Sequence, residues 1–215
     1  MNIIYLLFHG LSPYSGISKK ILHQVKGFEA CGHRVSLCTY SIADNGHRVR
    51  MINNEIIEDY GTGKPAAAKR RVSYQCIYRY AVTHQVELIY VRSFHNANPF
   101  TIRLFSKLRK AGIKIAMEIP TYPYDSEYAG FPLVTRLGIQ VDKVFRKTLA
   151  KHVNAIVTFS DYHCIFGQRT IQISNGVDFD SIPLKKMGRK PNAYPGQNKN
   201  VHHNVRKLLP SIFHH

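Results

Sequence analysis

The sequence predicts an α/β protein built on a doubly wound, mostly parallel β-sheet. Continuous apolar runs, such as residues 2–8, are typical of strands that are buried on both faces of a parallel sheet. Segments with apolar residues at helical spacing alternate with these runs as far as residue 176. Strands that alternate with helices favour parallel pairing, with helices on both faces of the sheet.

The first 40 residues predict one β-α-β unit. Residues 2–8 form its first strand, and a polar loop follows. Residues 17–32 form its helix, because apolar side chains recur at helical spacing and Gly32 supplies a usual helix end. Residues 33–40 form its second strand, and the crossover between the two strands is expected to be right-handed.

The same alternation continues beyond this unit. Residues 47–61 predict a short strand with a polar turn, and the alanine-rich start of residues 66–85 predicts a helix. Residues 99–112 predict a further helix, which begins with proline and ends with glycine. The remaining predicted elements are a helix over residues 133–153 and strands over residues 86–93, 113–120, 154–160 and 170–176.

The chain is strongly basic. Its formal net charge is +17 over 215 residues, of which residues 1–184 carry +10 and residues 185–215 carry +7 with no acidic residue. A basic surface favours anionic partners, which include phosphorylated small molecules, acidic lipid headgroups and nucleic acid. Charge alone does not choose among these classes.

Composition also predicts where the chain resides. No run of about 18 or more apolar residues occurs, so no transmembrane helix is predicted. Residues 1–10 lack a basic region and a cleavage site, and they fit a first strand better than a signal peptide. The four cysteines form no C-x-x-C pair and fit reduced thiols. We therefore expect a cytoplasmic protein.

The loop after the first strand is a candidate anion site. A flexible loop that contains Gly16 leads into a helix N-terminus, where backbone N–H groups and the helix dipole attract an anion, and Lys19 and Lys20 add positive charge. The loop matches neither G-x-G-x-x-G nor the P-loop pattern, so NAD and P-loop nucleotide binding are disfavoured. An ordinary loop with glycine at a tight turn explains these residues equally well.

A second candidate site follows the strand over residues 113–120. The residues that make this segment polar and aromatic are Glu118, Thr121, Tyr122, Tyr124, Asp125, Glu127 and Tyr128. Aromatic rings and carboxylates suit a polyhydroxylated ligand, and a carboxylate there is also suited to general-base chemistry. The alternative is a solvated surface loop. We favour the ligand site, because loops at the carboxyl ends of parallel strands often carry function.

Two single residues end strands at the same predicted edge. Arg92 has two alternatives, a ligand phosphate or an ion pair with Glu118 or Asp125, and the ion pair is favoured. Ser160 either bonds a ligand or caps a short helix after it, and capping is the default. The eight histidines before residue 185 include no pair four residues apart, so no metal site is predicted.

Several stretches in order resemble a known family. They are "ACGHRVSLCTY" (30–40), "ELIYVR" (87–92), "IAMEIPTYPYD" (115–125), "NAIVTFS" (154–160) and "IQISNGVDFD" (171–180). Over residues 1–184 this order is similar to the N-terminal half of retaining glycosyltransferases of family 4, which have the GT-B fold. The stretch "EIPTYPYD" (118–125) strengthens the resemblance to bacterial capsule and polysaccharide members.

The resemblance implies a single Rossmann-like half-domain of a two-domain enzyme. This half binds a glycan or lipid-linked acceptor, the other half binds a nucleotide-sugar donor, and no metal or other cofactor is required. The approach to the donor phosphates falls to Ser15 and Gly16. The acceptor and sugar contacts fall to Glu118, Thr121, Tyr122, Tyr124, Asp125, Arg92 and Ser160. Many members carry a histidine where this chain has Ile119 to Thr121, so that contact is not carried over.

Residues 185–215 depart from the family. They hold no Glu-x7-Glu motif, so we expect a truncated enzyme that is inactive alone, with a frameshift near residues 183–187 and a disordered basic tail. The alternative for the tail itself is a genuine basic, disordered segment. The alternatives for the function are an obligate subunit of a split glycosyltransferase, whose donor-binding half is a separate chain, or a basic anion- or nucleic-acid-binding protein.

The basic body fits peripheral contact with an anionic inner membrane. No specific nucleic acid partner is expected, because the aromatic and basic residues do not interleave as they do in RNA-binding modules and no helix-turn-helix is evident.

Overall fold

A computed structural model describes residues 1–12, 14–92, 96–123, 133–173, 205 and 208–213. The strands are β1 (Asn2–Leu6), β2 (Arg34–Ile42), β3 (Arg48–Ile52), β4 (Glu55–Asp59), β5 (Leu88–Arg92), β6 (Lys114–Ile119), β7 (Ala155–Thr158), β8 (Cys164–Ile165) and β9 (Gln168–Gln172). The helices are α1 (Gly16–Ala30), α2 (Gly63–Val72), α3 (Gln75–Thr83), α4 (Pro99–Lys110) and α5 (Leu133–Ala150).

These strands form one mixed, mostly parallel Rossmann-like sheet in the order β4-β3-β2-β1-β5-β6-β7-β9-β8. Strands β2, β1, β5, β6, β7 and β9 pair in parallel, whereas β3, β4 and β8 pair antiparallel at the two edges. The doubly wound, mostly parallel α/β fold predicted from the sequence is confirmed. The strand order reverses between β1 and β5, and a crevice for a ligand is expected outside the carboxyl ends of strands at such a switch point.

The sheet is buried on both faces, as the continuous apolar strands require. Alternate residues of β1 point to opposite faces, so Ile4 packs in one hydrophobic core and Ile3 in the other. The first core is completed by α3, α4 and α5, and the second by Ile21 and Phe28 of α1. A single helix thus serves the second face over the described part of residues 1–173.

Residues 205 and 208–213 lie on this second face. The segment 208–213 is helical, and Leu208 and Ile212 are buried in the same core as Ala116 and Val157. The expectation of a disordered tail therefore does not hold for these seven residues. The reason is that their apolar side chains cover sheet surface on the face that α1 shares. The frameshift expected near residues 183–187 lies outside the described residues.

The antiparallel edges of the sheet contain two β-hairpins. For these regions the sequence predicted only a short strand with a polar turn over residues 47–61 and a short helix after Ser160. Asn53 and Asn54 both have positive φ, 48° and 71°, and they form the two-residue turn between β3 and β4. Phe166 and Gly167, also with positive φ, form the turn between β8 and β9. The short helix expected after Ser160 is therefore absent from the described residues, and β8 follows a bend instead.

The helix predicted over residues 66–85 is broken into α2 and α3. The backbone of Ser73 is extended, and its carbonyl accepts a hydrogen bond from the Tyr60 hydroxyl at 3.3 Å. The following Tyr74 is buried, with its ring edge-on to Phe8 at 5.7 Å between centroids. These tertiary contacts break the helix at residues 73–74, whose intrinsic helical propensity is lower than that of the alanine-rich start of the segment.

All four cysteines are free thiols, and Cys38 and Cys76 are buried. Within the described ranges, no helix combines the length and apolarity needed to cross a membrane. No group of three or more metal-ligating side chains comes together in the same part of the chain.

Candidate functional site

The candidate site lies outside the carboxyl ends of β1, β5, β6 and β7. The sheet register sets Arg92, the last residue of β5, beside Glu118 of β6, and Ile119 beside Thr158 of β7. Helix α1 begins after the β1 loop and packs on the second face of the sheet. Residues that are far apart in sequence therefore converge at one edge.

Glu118 is the centre of a buried polar network. Its side chain is fully buried, and its Oε1 accepts a hydrogen bond from Nη1 of Arg92 at 2.5 Å. Its Oε2 accepts hydrogen bonds from the Tyr90 hydroxyl at 2.6 Å and from Nε2 of Gln24 at 2.8 Å. The Arg92–Glu118 ion pair that the sequence favoured is present. Because both carboxylate oxygens are engaged, Glu118 is placed to hold Arg92 and not to touch a ligand directly.

The network continues to Tyr5. The Tyr5 hydroxyl donates to Oε1 of Gln24 at 2.5 Å, and the Tyr5 and Tyr90 rings lie 5.0 Å apart. Burial raises the pKa of both tyrosines well above the usual value, and the negative charge of Glu118 raises it further. Both hydroxyls therefore remain protonated and serve as donors.

Lys20 of α1 closes the site toward β7. Its ammonium lies 3.7 Å from the centroid of the Phe159 ring. Burial lowers the pKa of Lys20, and the nearby Arg92 acts in the same direction, while Glu118 opposes them. Within the described part of the chain, Lys20 and Arg92 are thus two cations whose charges act on the same carboxylate, Glu118.

The N-terminus of α1 adds to this positive field. Ser15 is the N-cap, and its hydroxyl accepts the Ser18 backbone N–H at 3.4 Å. A Cβ added at Gly16 meets nothing within 4 Å, so this glycine is not required by packing. By contrast, a Cβ at Gly10 in the same loop meets the Tyr40 carbonyl oxygen at 2.8 Å.

Hydroxyl and aromatic groups form the other side of the site. Oγ of Ser160 accepts the backbone N–H of Tyr122 at 3.1 Å, which joins the β6 and β7 loops. Ser160 is therefore a loop tether, and the helix cap expected of it is wrong. The Tyr122 ring packs edge-on against Tyr162 at 5.0 Å and Phe166 at 5.6 Å. Thr121 is exposed beside it.

Not all predicted residues are brought together. Arg92 meets Glu118, and Tyr122 meets Ser160 at the ends of the neighbouring strands β6 and β7, while Thr121 is exposed. Tyr124 and Asp125 lie outside the described residues, as does the Asn-Gly pair after β9.

The sequence reasoning missed Tyr5, Gln24, Tyr90 and Tyr162. A signal for the first and third was present, since each is the one tyrosine within an otherwise apolar buried strand. A buried tyrosine hydroxyl usually finds a hydrogen-bond partner, so a polar partner near those strands was predictable. The identity of that partner was not.

Comparison with known proteins adds no relative. No family model matches the chain, and no curated protein or solved structure matches it either.

Proposed function

We propose that this chain is the acceptor-binding half of a retaining glycosyltransferase of family 4. In the reaction proposed, a sugar passes from a nucleotide-sugar to a glycan or lipid-linked acceptor, in the synthesis of a bacterial polysaccharide or lipopolysaccharide. The observation that supports this most is the sheet order. Three of the segments that carry the resemblance lie at the carboxyl ends of β5, β6 and β7. The parallel pairing of these strands places the three segments at one edge of the sheet, beside the switch point at β1.

The side chains at that edge suit a sugar joined to a phosphate. Tyr162 is 46% exposed and packs against Tyr122, so its ring offers an apolar face to a sugar. Lys20 and Arg92 supply positive charge for a phosphate, and Glu118 holds the Arg92 guanidinium in a fixed orientation. This division of roles makes Glu118 a positioning residue in the proposal.

Turnover is assigned to a donor-binding half. Loss of a nucleotide diphosphate requires groups that stabilise its developing negative charge. We assign these groups to the donor-binding half. We therefore expect no sugar transfer by the purified chain alone. Transfer from UDP-glucose without any added protein would contradict the proposal.

Binding tests the acceptor role directly. Saturation-transfer NMR with the purified chain would use two probes, glucose phosphate esterified to a short prenyl alcohol and UDP-glucose. We expect the prenyl probe to bind, and both Lys20→Gln and Tyr162→Ala to weaken it by roughly tenfold. Lys26→Gln, on the exposed side of α1, is the matched control and should bind like the wild type. Binding of UDP-glucose but not of the prenyl probe would overturn the assignment.

A specific observation favours a second form of the proposal, in which the donor-binding half is a separate chain. Helix α5 carries Leu133, Leu137, Val141 and Val144 on one side, and their exposed fractions range from 44% to 71%. An apolar stripe of this kind fits a protein partner. The nucleotide sequence of the locus, translated in all frames beyond codon 183 and across the neighbouring genes, tests whether the donor-binding half is a separate chain. A donor-type half in a separate gene supports it. A purified chain that stays monomeric, with no such gene nearby, counts against it.

A further inference from the structure

Three arginines form a cluster beside the β1 loop. Arg48 and Arg50 belong to β3, and Arg70 belongs to α2. Arg50 is 1% exposed, and its Nη1 donates to the Leu7 carbonyl oxygen at 2.9 Å. The Nε atoms of all three arginines are buried, and none of them meets a hydrogen-bond acceptor among the described residues. Buried charged donors without partners cost free energy, so this arginine cluster needs a physical explanation.

Tyr40 of β2 holds the cluster together. Its hydroxyl accepts a hydrogen bond from Nη1 of Arg48 at 2.7 Å, and the Arg70 guanidinium lies 4.2 Å from its ring centroid. Arg48 and Arg50 are two residues apart on one strand, so their side chains share a face. Three positive charges are therefore held within a small volume.

No carboxylate among the described residues forms an ion pair with the cluster. The two acidic residues at the end of β4 are engaged elsewhere. Glu58 pairs with Arg79 at 3.7 Å, and Asp59 bonds the His47 ring at 2.7 Å and the Gly61 backbone N–H at 2.7 Å. The positive charge of the cluster is thus left uncompensated by the part of the chain that is described.

The neighbouring arginines act unfavourably on the charge of Arg70. Burial lowers the pKa of Arg70, and the positive charges of Arg71, Arg48 and Arg50 lower it further, while Tyr40 opposes them. For Arg50 burial likewise lowers the pKa, but the nearby Cys38, Tyr60 and Cys76 raise it by more. An anion placed beside Arg70 would offset the positive charge of its arginine neighbours.

We propose that the arginine cluster is a binding site for a phosphate group, separate from the site at Glu118. Guanidinium groups match the oxygens of phosphate in geometry and charge, and several together give charge-assisted hydrogen bonds. Arg48 and Arg70 are half-buried above the fully buried Arg50, and the exposed Arg71 adds a fourth positive charge. The inference does not depend on the glycosyltransferase proposal, because it rests on uncompensated charge alone.

The phosphate belongs either to a soluble phosphorylated molecule or to a lipid headgroup, and two measurements separate these sources. The first is calorimetric titration of the full chain with inorganic phosphate in a chloride buffer. The second is flotation with vesicles of phosphatidylcholine, with and without phosphatidic acid. The variants are Arg48→Gln and Arg70→Gln, because replacement of the buried Arg50 threatens the fold. Circular dichroism confirms that each variant is folded.

Arg34→Gln is the matched control, since it removes one exposed positive charge at the opposite end of β2. We expect Arg48→Gln and Arg70→Gln each to weaken phosphate binding or vesicle flotation by roughly tenfold or more, and Arg34→Gln to change neither. Binding of free phosphate identifies a soluble ligand, and flotation without it identifies a lipid headgroup. The proposal is overturned if neither probe binds, if the cluster variants bind like the wild type, or if only Lys20→Gln weakens binding.

Discussion

Substitution of Glu118 by glutamine tests the buried network at the candidate site. Glutamine keeps the size and part of the hydrogen bonding of glutamate but removes its charge. Arg92 is then left as a cation with 8% of its side chain exposed and no carboxylate at 2.5 Å. Removal of one partner of such a buried pair costs about 3–5 kcal/mol, because the remaining charge stays desolvated. That is a large part of a total stability of about 5–15 kcal/mol.

Urea unfolding, followed by far-ultraviolet circular dichroism, measures this loss. We expect Glu118→Gln to lower the unfolding midpoint without changing the dependence on urea concentration. The matched control is Glu58→Gln, which breaks a 3.7 Å pair with Arg79, whose side chain is 67% exposed. An exposed pair contributes at most about 1 kcal/mol.

A double variant separates the ion pair from other effects. With Arg92→Met added, Glu118→Gln no longer leaves an unpaired cation. We expect the double variant to lose less stability than the sum of the single variants, by about 0.5–3 kcal/mol. If Glu118→Gln costs less than about 1 kcal/mol, or if the two losses simply add, the reasoning about the buried pair is wrong.

Three further predictions concern the loop, the tail and pH. Gly10→Ala should lower the free energy of unfolding in urea by about 1–3 kcal/mol, because the added Cβ meets a carbonyl oxygen at 2.8 Å. Gly16→Ala should lower it by nothing, because a Cβ there has free space, and equal losses for the two variants would contradict this. Leu208→Ala should lower the free energy of unfolding by about 2–5 kcal/mol, because this side chain is buried. Phe213→Ala, at an exposed side chain, should lower it by about 0.5 kcal/mol or less, and a small loss for both variants would mean that the tail helix is not packed. Burial, and then the N-terminal charge, lower the pKa of His33 against the opposing effect of Glu87, so the unfolded chain binds the proton more readily. Stability should therefore fall as pH decreases below about 6.5, and His33→Gln should reduce that fall in urea midpoints measured across the range.

The local sequence pattern predicted the helices and strands well where one hydrophobic pattern, helical or extended, runs through the whole segment. The strands around Ile4, Ile89 and Ile115 are continuous apolar runs, and α4 has proline at its first position and ends just before Gly112. The pattern failed where tertiary contacts compete with propensity. Tyr74 breaks the predicted long helix by packing against Phe8, and no local signal in an alanine-rich segment indicates that contact.

The candidate site was predictable only in part. Parallel strands place their carboxyl ends at one edge, so Arg92, Glu118 and Ser160 were expected to be neighbours. Their roles were not predictable, because a role depends on the partners that each side chain meets. Glu118 was a candidate for ligand contact, but its oxygens are engaged by Arg92, Tyr90 and Gln24. Ser160 tethers the loop of Tyr122 and caps no helix in the described part of the chain.

The sequence by itself determined most of the elements and the edge at which a site should form, because side-chain periodicity and turn residues act over a few neighbouring positions. Only the tertiary structure decided which strands pair, and through that pairing which charges are compensated. Glu118 neutralises Arg92 because β6 pairs with β5. Arg48 of β3 and Arg70 of α2 meet at Tyr40, and no carboxylate among the described residues pairs with them, since Glu58 and Asp59 of β4 bond elsewhere. Charge compensation is a property of distances in space, and sequence separation does not encode those distances.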